Sequence, residues 1–197
     1  MSDIMKVPLL RFKEFSGDWE EKKLGDIFKI SAGGDIKIEN VNNIKTNEFK
    51  FPIYANAKKN KGFYGYSNIY KIDENVITVA GRGVNIGIAH IRKQKFYPIV
   101  RLLVLKPNKE VDIDFFEYQI NQINIFIEST GVPQLTAPQI SIYTISYPLT
   151  KEQQKIASFL TSIDTKIEQL TKKEKLLSTY KKGVMQKIFN QDIRFEG

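Results

Sequence analysis

The chain has 197 residues and no cysteine, and its 30 Lys and Arg outnumber its 22 Asp and Glu, for a formal net charge of +8 at pH 7. The absence of cysteine excludes disulfides and thiolate metal ligands. No stretch approaches the roughly 18 apolar residues of a membrane span, and the start, Met1–Lys6, lacks the sections of a signal peptide. We therefore expect a cytoplasmic protein with one globular domain and an extended element. The basic charge is compatible with a nucleic-acid partner, and also with a lysine-biased genome.

Short β-strands are predicted for the first half of the chain, after a lead-in that closes on Trp19. Segments rich in β-branched and aromatic residues alternate there with Gly, Asn and Lys loops, which is typical of strands. The predicted strands are Phe49–Tyr54, Asn75–Ala80, Ile86–Ile91 and Ile99–Leu105.

A helix and one more strand follow. Asp112 or Asp114 is a suitable N-cap for a helix that continues to about Glu128. A loop over Gly131–Pro138 then leads to a strand over Ile140–Tyr147. This mixture predicts an α+β fold, in which a compact β-rich domain is followed by one long C-terminal coiled-coil helix.

The long helix is predicted for Leu149–Phe189, with Thr150 as its N-cap and Gln153 at the capping-box position. Its apolar residues recur at alternating four- and three-residue steps, a coiled-coil spacing interrupted only at Glu174 and Lys181. We call this stripe the seam; it consists of Ile156, Leu160, Ile163, Ile167, Leu170, Leu177, Val184 and Ile188. A stripe this narrow suits a single partner helix, so the seam predicts an oligomer.

A glycine-rich segment, Gly81–Gly87, allows two interpretations. It is neither a G-x-G-x-x-G motif nor a P-loop, and no helix pattern follows on which a phosphate could sit. One interpretation is a tight turn between two strands. The other is a loop that approaches DNA closely and presents Arg82 and Asn85. The two interpretations are compatible.

Few residues are suited to catalysis or metal binding. His90 is the only histidine and no cysteine accompanies it, which argues against a metal site or a histidine-based triad. Helix capping accounts for the acidic group of Asp112, Asp114 and Glu117 better than acid–base catalysis does. We therefore expect a protein without a catalytic residue, a metal ligand or a cofactor of its own.

A basic and aromatic segment, Ala57–Asn68, also has two interpretations. Its lysines suit phosphates and its amides suit base edges, as a DNA-contacting loop requires. A solvated lysine-rich turn followed by an aromatic core strand explains the same residues. A second basic group, Arg92–Lys95, is typical of an ordinary charged turn.

Several segments are distinctive through their order and spacing. Thr130–Thr136 is followed by a strand that ends at Pro148 and by a helix that starts with Glu152-Gln153-Gln154-Lys155-Ile156. The segments that precede them are Trp19-Glu20, Lys23–Asp26, Phe51–Tyr54, Gly65-Tyr66 and Ile77–Val79. Over nearly its whole length the chain resembles the specificity subunit of a type I restriction–modification system.

The resemblance implies a function that composition alone does not. A typical member of this family carries two target-recognition domains, each followed by a long helix, and the two helices pair antiparallel. It reads two short DNA half-sites separated by unspecified bases and has no catalysis of its own. Methyltransferase subunits, which bind S-adenosylmethionine, and restriction subunits, which use ATP, assemble on it.

This chain has one recognition domain and one helix, so the resemblance implies a half-length form that binds double-stranded DNA as an antiparallel homodimer. The expected organisation is a target-recognition domain over residues 1–148, a dimerisation and spacer helix over 149–190 and a tail over 191–197. The tail, Ile193–Gly197, echoes Leu10–Glu14, with chance similarity as the alternative. The alternative function is a coiled-coil protein-interaction module without specific DNA binding.

Residues are predicted to contact DNA on the basis of their chemistry and loop positions. They are Lys58, Lys59, Asn60, Lys61, Arg82, Asn85 and Gln134. The residues of the seam are the predicted dimerisation contacts.

Overall fold

The part of the chain that the structure describes contains three small β-sheets and four α-helices, which loops and short turns connect. The structure is a computed structural model, and residues 8–57, 59–123, 125 and 134–194 are described. The strands are β1 (Glu20–Lys23), β2 (Phe28–Ala32), β3 (Val41–Asn42), β4 (Phe51–Tyr54), β5 (Phe63–Ser67), β6 (Val76–Val79), β7 (Ala89–Arg92), β8 (Tyr97–Pro98), β9 (Leu103–Pro107) and β10 (Thr144–Tyr147). The helices are α1 (Leu24–Ile27), α2 (Ile113–Asn121), α3 (Ala137–Ser141) and α4 (Thr150–Phe189).

The sheets are built mainly from antiparallel neighbours. One four-stranded sheet has the order β2-β9-β6-β7, and the other has the order β3-β5-β4-β8, in which β4 and β8 are parallel. Strands β1 and β10 pair in a two-stranded ribbon. These sheets belong to a first unit, residues 1–155, and residues 156–197 form a second unit. The predicted α+β class with a long C-terminal helix is confirmed.

The core lies around the β2-β9-β6-β7 sheet. Every residue of β6 is buried, because the strand is central in its sheet and α2 packs against β6 and β7. Continuous burial of this kind is typical of a strand that is covered on both faces. Phe28 and Phe116 are also buried, and their rings meet edge to face with centres 5.2 Å apart.

Helix α2 begins as predicted but ends earlier. The Asp112 carboxylate accepts a hydrogen bond of 2.8 Å from the N–H three residues later, so Asp112 rather than Asp114 is the N-cap. The helix ends at Asn121 and not at about Glu128, which lies outside the described residues. The end is fixed because the Asn121 side chain bonds to β7, accepting from the Ala89 N–H at 2.8 Å and donating to its carbonyl at 3.2 Å.

The predicted strand over Ile140–Tyr147 is wrong in its first half. Thr136 and Gln139 form a capping box, in which each backbone N–H donates to the other residue's side chain. This cap starts α3, which buries the Ile140 side chain, and the strand begins only at Thr144. Local capping therefore outweighs the strand propensity of the isoleucines.

Two strands start later than predicted because turns precede them. Val100 and Arg101 both have left-handed backbones, with φ of 52° and 57°, and β9 begins only after them. A 3-10 turn over Gly83–Asn85 and a left-handed Gly87, with φ of 88°, come before β7. The segment Gly81–Gly87 thus connects the antiparallel neighbours β6 and β7, which confirms its interpretation as a turn.

The turn between β4 and β5 requires glycine at one position. Gly62 has a φ of 83°, and a Cβ there would lie 2.5 Å from the Ala55 carbonyl oxygen. The preceding Asn60 and Lys61 are also left-handed, with φ of 51° and 52°. The Ala55 N–H donates to the Gly62 carbonyl at 2.8 Å, which closes the turn.

Helix α4 begins at Thr150, so Leu149 rather than Thr150 stands at the N-cap position, and the predicted capping box is wrong. The Gln153 side chain is buried and bonds elsewhere: it accepts from the Asp112 N–H at 2.9 Å and donates to the Pro148 carbonyl at 2.8 Å. Gln153 therefore joins the first turn of α4 to the cap of α2 instead of capping its own helix.

An ion pair attaches the lead-in to the first turn of α4. Glu152 is 2 % exposed, and both of its carboxylate oxygens accept hydrogen bonds of 2.7 Å from the Arg11 guanidinium. Arg11 also donates to the Gly17 carbonyl at 2.6 Å, within the lead-in itself. The hydrogen bond with Glu152 raises the pKa of Arg11. A carboxylate this deeply buried needs such a partner.

Arg11→Met is expected to lower the melting temperature by at least about 5 °C, because it leaves a buried carboxylate without its cation. Thermal unfolding followed by circular dichroism measures the change. Lys13→Met, which replaces an exposed lysine of the same segment, is the matched control. Equal melting temperatures for the two variants would show that the ion pair is dispensable.

Gly62→Ala is expected to destabilise the first unit by about 1–3 kcal/mol, because alanine is strained at this φ and its Cβ collides with the Ala55 carbonyl. Urea unfolding followed by the fluorescence of Trp19 measures the loss. Gly34→Ala is the control, since a Cβ at Gly34 has nothing within 4 Å. A Gly62→Ala variant as stable as Gly34→Ala would contradict the turn geometry.

Candidate nucleic-acid interface

Three loops from distant parts of the sequence meet at one side chain. We call them the loop cluster, which comprises residues 55–57 and 59–62 after β4, residues 80–88 between β6 and β7, and residues 99–102 before β9. The Asn56 carboxamide joins all three: its oxygen accepts from the Gly81 N–H at 2.8 Å, and its nitrogen donates to the Val100 carbonyl. Because the loops are bonded to one another, they lie side by side.

The first loop carries the lysines that the sequence predicts as DNA contacts. Asn60 and Lys61 are exposed. Lys59 is described through its backbone alone, as the first residue of the turn Lys59–Gly62. Lys58 lies outside the described residues.

The second loop brings together two predicted contacts that are distant in sequence. Arg82 is exposed and forms an isolated β-bridge with Gln134. The Leu135 N–H donates to the Gly81 carbonyl at 2.8 Å, which extends this pairing by one residue. Arg82 and Gln134 are therefore neighbours at the edge of the loop cluster.

Asn85 is less accessible than Arg82, Asn60 and Lys61. It is 9 % exposed, in a turn where the Ile88 N–H donates to the Asn85 carbonyl at 3.1 Å. With Lys61 it lines a cleft whose cavity, about 20 Å³, is no larger than one water molecule. The loop cluster thus offers a surface for a large ligand rather than a pocket for a small one.

Arg101 is an exposed arginine of the loop cluster that the sequence analysis missed. Its carbonyl oxygen lies 3.0 Å from where a Cβ of Gly81 would stand, so the second and third loops are in close contact. The sequence places Arg101 inside the predicted strand Ile99–Leu105. A left-handed turn at Val100 and Arg101 has no sequence signature, because β-branched residues rarely adopt that conformation.

Two side chains that hold the loops were also missed. Asn56 bonds to a residue 25 positions away, and Arg92 bonds to a carbonyl 31 positions away. Burial lowers the pKa of the Arg92 guanidinium, and Tyr54 offsets part of this effect. Neither role has a local sequence signal, since both depend on partners that folding brings together.

The rest of the second basic group is engaged within the fold. Lys93 forms an ion pair of 2.7 Å with Asp114, and the Lys95 ammonium lies 4.5 Å from the centre of the Tyr70 ring. These contacts agree with an ordinary charged turn for residues 93–95, but that interpretation is wrong for Arg92, which is buried on β7.

Within residues 8–57, 59–123, 125 and 134–194, no three His, Asp or Glu side chains form a group that could hold a metal ion. His90 lies 3.5 Å from a carboxylate oxygen of Glu117, which also accepts from the Ile91 N–H at 3.2 Å. This pair links β7 to α2. None of the described helices combines the length and the apolar composition that a membrane crossing requires.

Comparisons with known proteins point to one family. The family model of the type I restriction modification DNA specificity domain matches residues 16–178. A Mycoplasma pneumoniae protein named as a type I specificity subunit is 33 % identical over 153 residues, which are 77 % of this chain and 45 % of that protein. The MjaVIII type I restriction enzyme specificity subunit of Methanocaldococcus jannaschii is 25 % identical over 209 residues, covering 92 % of this chain and 45 % of that protein.

Solved structures have the same fold. The S subunit of a type I restriction–modification system from M. genitalium matches with a TM-score of 0.67 at 18 % identity, covering 95 % of this chain and 49 % of that chain. The HsdS subunit from Thermoanaerobacter tengcongensis matches with a TM-score of 0.55 at 15 % identity, covering 95 % and 48 %. The chain spans about half the length of the curated relatives it matches. Because the family model covers most of the sequence, the chain belongs to the type I restriction modification DNA specificity domain family.

Proposed function

We propose that this chain is the non-catalytic DNA-recognition subunit of a type I restriction–modification enzyme and that it reads one half of a bipartite site. The loop cluster is the observation that supports this most, because its adjoining loops carry the exposed Lys61, Arg82 and Arg101 together with Asn60 and Gln134. Cations neutralise DNA phosphates, and arginine and amide side chains discriminate between bases in the major groove.

Each proposed contact has a role that suits its chemistry. Arg82 reads a guanine through parallel N–H groups, and Asn60 reads an adenine through its amide. Lys61 and Arg101 contact phosphates and hold the register on the duplex. The other proposed contacts are Lys58, Lys59, Asn85 and Gln134.

We propose that catalysis in the complete enzyme belongs to partner subunits in the cytoplasm. Methyltransferase subunits would bind S-adenosylmethionine and restriction subunits would use ATP, so this chain itself needs no cofactor. In this organisation residues 1–148 recognise DNA, residues 149–190 act as spacer and dimerisation helix, and residues 191–197 are a tail. The specificity-subunit names of its relatives support this division of labour.

We further propose that two copies of α4 pair along the seam. Ile163, Ile167, Leu170 and Leu177 are between 40 % and 56 % exposed, so a row of large apolar side chains faces solvent in the single chain. Side chains at this spacing pack as knobs into the holes of one facing helix. The homodimer carries two identical loop clusters and therefore recognises an inverted-repeat site.

The charge distribution of α4 favours antiparallel pairing. Residues 150–170 contain three lysines and three acidic residues, whereas residues 171–189 contain six lysines and one acidic residue, Glu174. Parallel pairing would place the two lysine-rich halves side by side, and antiparallel pairing avoids this repulsion. Glu174 and Lys181 interrupt the seam, where polar residues help to fix the register.

Arg82→Ala is expected to lose about 1–3 kcal/mol of binding free energy on the preferred duplex and to relax specificity at one base pair. Lys61→Ala is expected to weaken binding about equally on every duplex and to lower the slope of log affinity against log salt by about 1. Selection from a random duplex pool with the parent chain identifies the preferred sequence, and fluorescence anisotropy measures the affinities.

Lys29→Ala is the matched control for these variants, since it removes an exposed lysine of β2 outside the loop cluster and should bind like the parent. A parent chain that selects no sequence, or whose DNA binding does not weaken as salt rises, would be a protein-interaction module instead. Either result rejects the DNA-recognition proposal.

Ile163→Glu combined with Leu170→Glu is expected to convert the dimer into a monomer, because pairing would bury two unpaired charges in the seam. Ser162→Glu combined with Gln169→Glu adds the same charges one position before the seam and should leave the dimer intact. Sedimentation equilibrium measures the mass of each. A monomeric parent, or a seam variant that stays dimeric, contradicts the symmetric pairing.

A further inference from the structure

Arg92 is a buried cation with an unusual set of partners. It lies on β7, is 5 % exposed, and its Nε donates to the Thr78 hydroxyl at 3.0 Å. Its guanidinium carbon lies 3.6 Å from the centre of the Tyr54 ring, and Glu117 acts on it only at longer range. Burying a cation is costly, so this arginine has a physical role beyond filling space.

The Arg92 guanidinium connects the sheet to the first loop of the cluster. Its Nη2 donates to the carbonyl of Lys61, at the point where the chain is left-handed through Asn60, Lys61 and Gly62. Asparagine tolerates this conformation, but a left-handed lysine is strained and keeps it only where contacts hold it. The bond from Arg92 is such a contact.

The side of Arg92 that faces the sheet is rigidly anchored. Thr78 is buried, accepts from Arg92 and donates its own hydroxyl to the His90 carbonyl at 3.1 Å. The Tyr54 ring packs edge to face on Phe96 with centres 5.5 Å apart. Thr78 and the Tyr54 ring both hold the guanidinium on this side, so the Tyr54 contact keeps it facing Lys61 even if the bond to Thr78 is lost.

We propose that Arg92 is a positioning residue for DNA recognition: from beneath the surface it sets the backbone of the first loop, so that Asn60 and Lys61 meet DNA in a fixed geometry. The proposal rests on the proposed function of the loop cluster. Arg92 itself is too deeply buried to touch DNA. Asn56 holds the second and third loops in the corresponding way.

Arg92→Met tests the proposal, because methionine keeps an apolar stem and removes every hydrogen bond of the guanidinium. We expect the affinity ratio between the preferred duplex and a duplex with one substituted base pair to fall about tenfold, as for one lost base contact. The salt dependence of binding should stay unchanged, since flexible lysine side chains still reach phosphates.

Thr78→Val is the matched control, because it removes another partner of the same guanidinium and leaves the bond between Arg92 and Lys61 in place. We expect this variant to be less stable than the parent but to keep its discrimination between duplexes. Arg92→Lys should restore part of the discrimination, since an ammonium group can still donate to a carbonyl.

Hydrogen exchange without DNA gives a second readout. The N–H groups of Ala55 and Ala57, which are bonded within the first loop, should exchange faster in Arg92→Met than in Thr78→Val. The proposal is wrong if Arg92→Met exchanges these N–H groups and discriminates between duplexes as the parent does. It is also wrong if Thr78→Val loses as much discrimination as Arg92→Met. A parent that selects no DNA sequence rejects the proposed function instead, and exchange still decides whether Arg92 holds the loop.

Discussion

The candidate recognition surface depends on the two hydrogen bonds of the Asn56 carboxamide. They join loops that β4, β6 and β9 hold at their ends, and they do so through backbone groups of Gly81 and Val100 rather than through exposed side chains. The exposed side chains on these loops can therefore be substituted without loss of the hydrogen bonds that hold the loops together. A recognition domain needs this separation, because its contacts define the target while its scaffold remains constant.

Backbone strain is concentrated in the same place. Among the described residues, the left-handed residues other than glycine are Asn60, Lys61, Val100, Arg101 and Gln191, and all but the last lie in the loop cluster. Each such residue costs free energy that its surroundings must offset. Arg92 bonds to the carbonyl of Lys61, and Asn56 bonds to the carbonyl of Val100, so each strained pair has a side-chain contact. Four of the five residues with unusual backbone angles thus lie at the surface where DNA contact is proposed.

Local patterns predict much of this fold and less of its candidate surface. The seam of α4 and the turn over Gly81–Gly87 depend on residues close in sequence, and the structure has both the long helix and the turn. Helix α3 is not predicted, because the residues around Ile140 favour a strand whereas a capping box starts a helix there. The roles of Asn56, Arg92 and Arg101 cannot be predicted for another reason. Each depends on a partner or a turn that is present only in the folded chain.

Symmetric recognition of DNA by two copies of this chain can be tested by mapping adenine methylation in cells that express it together with a type I methyltransferase subunit. Two identical loop clusters, held by antiparallel helices, would select two identical half-sites in inverted orientation with a fixed gap between them. We therefore expect methylation at a symmetric bipartite motif. Methylation at an asymmetric motif, or at no defined motif, would show that two copies of this chain do not read DNA as a symmetric pair.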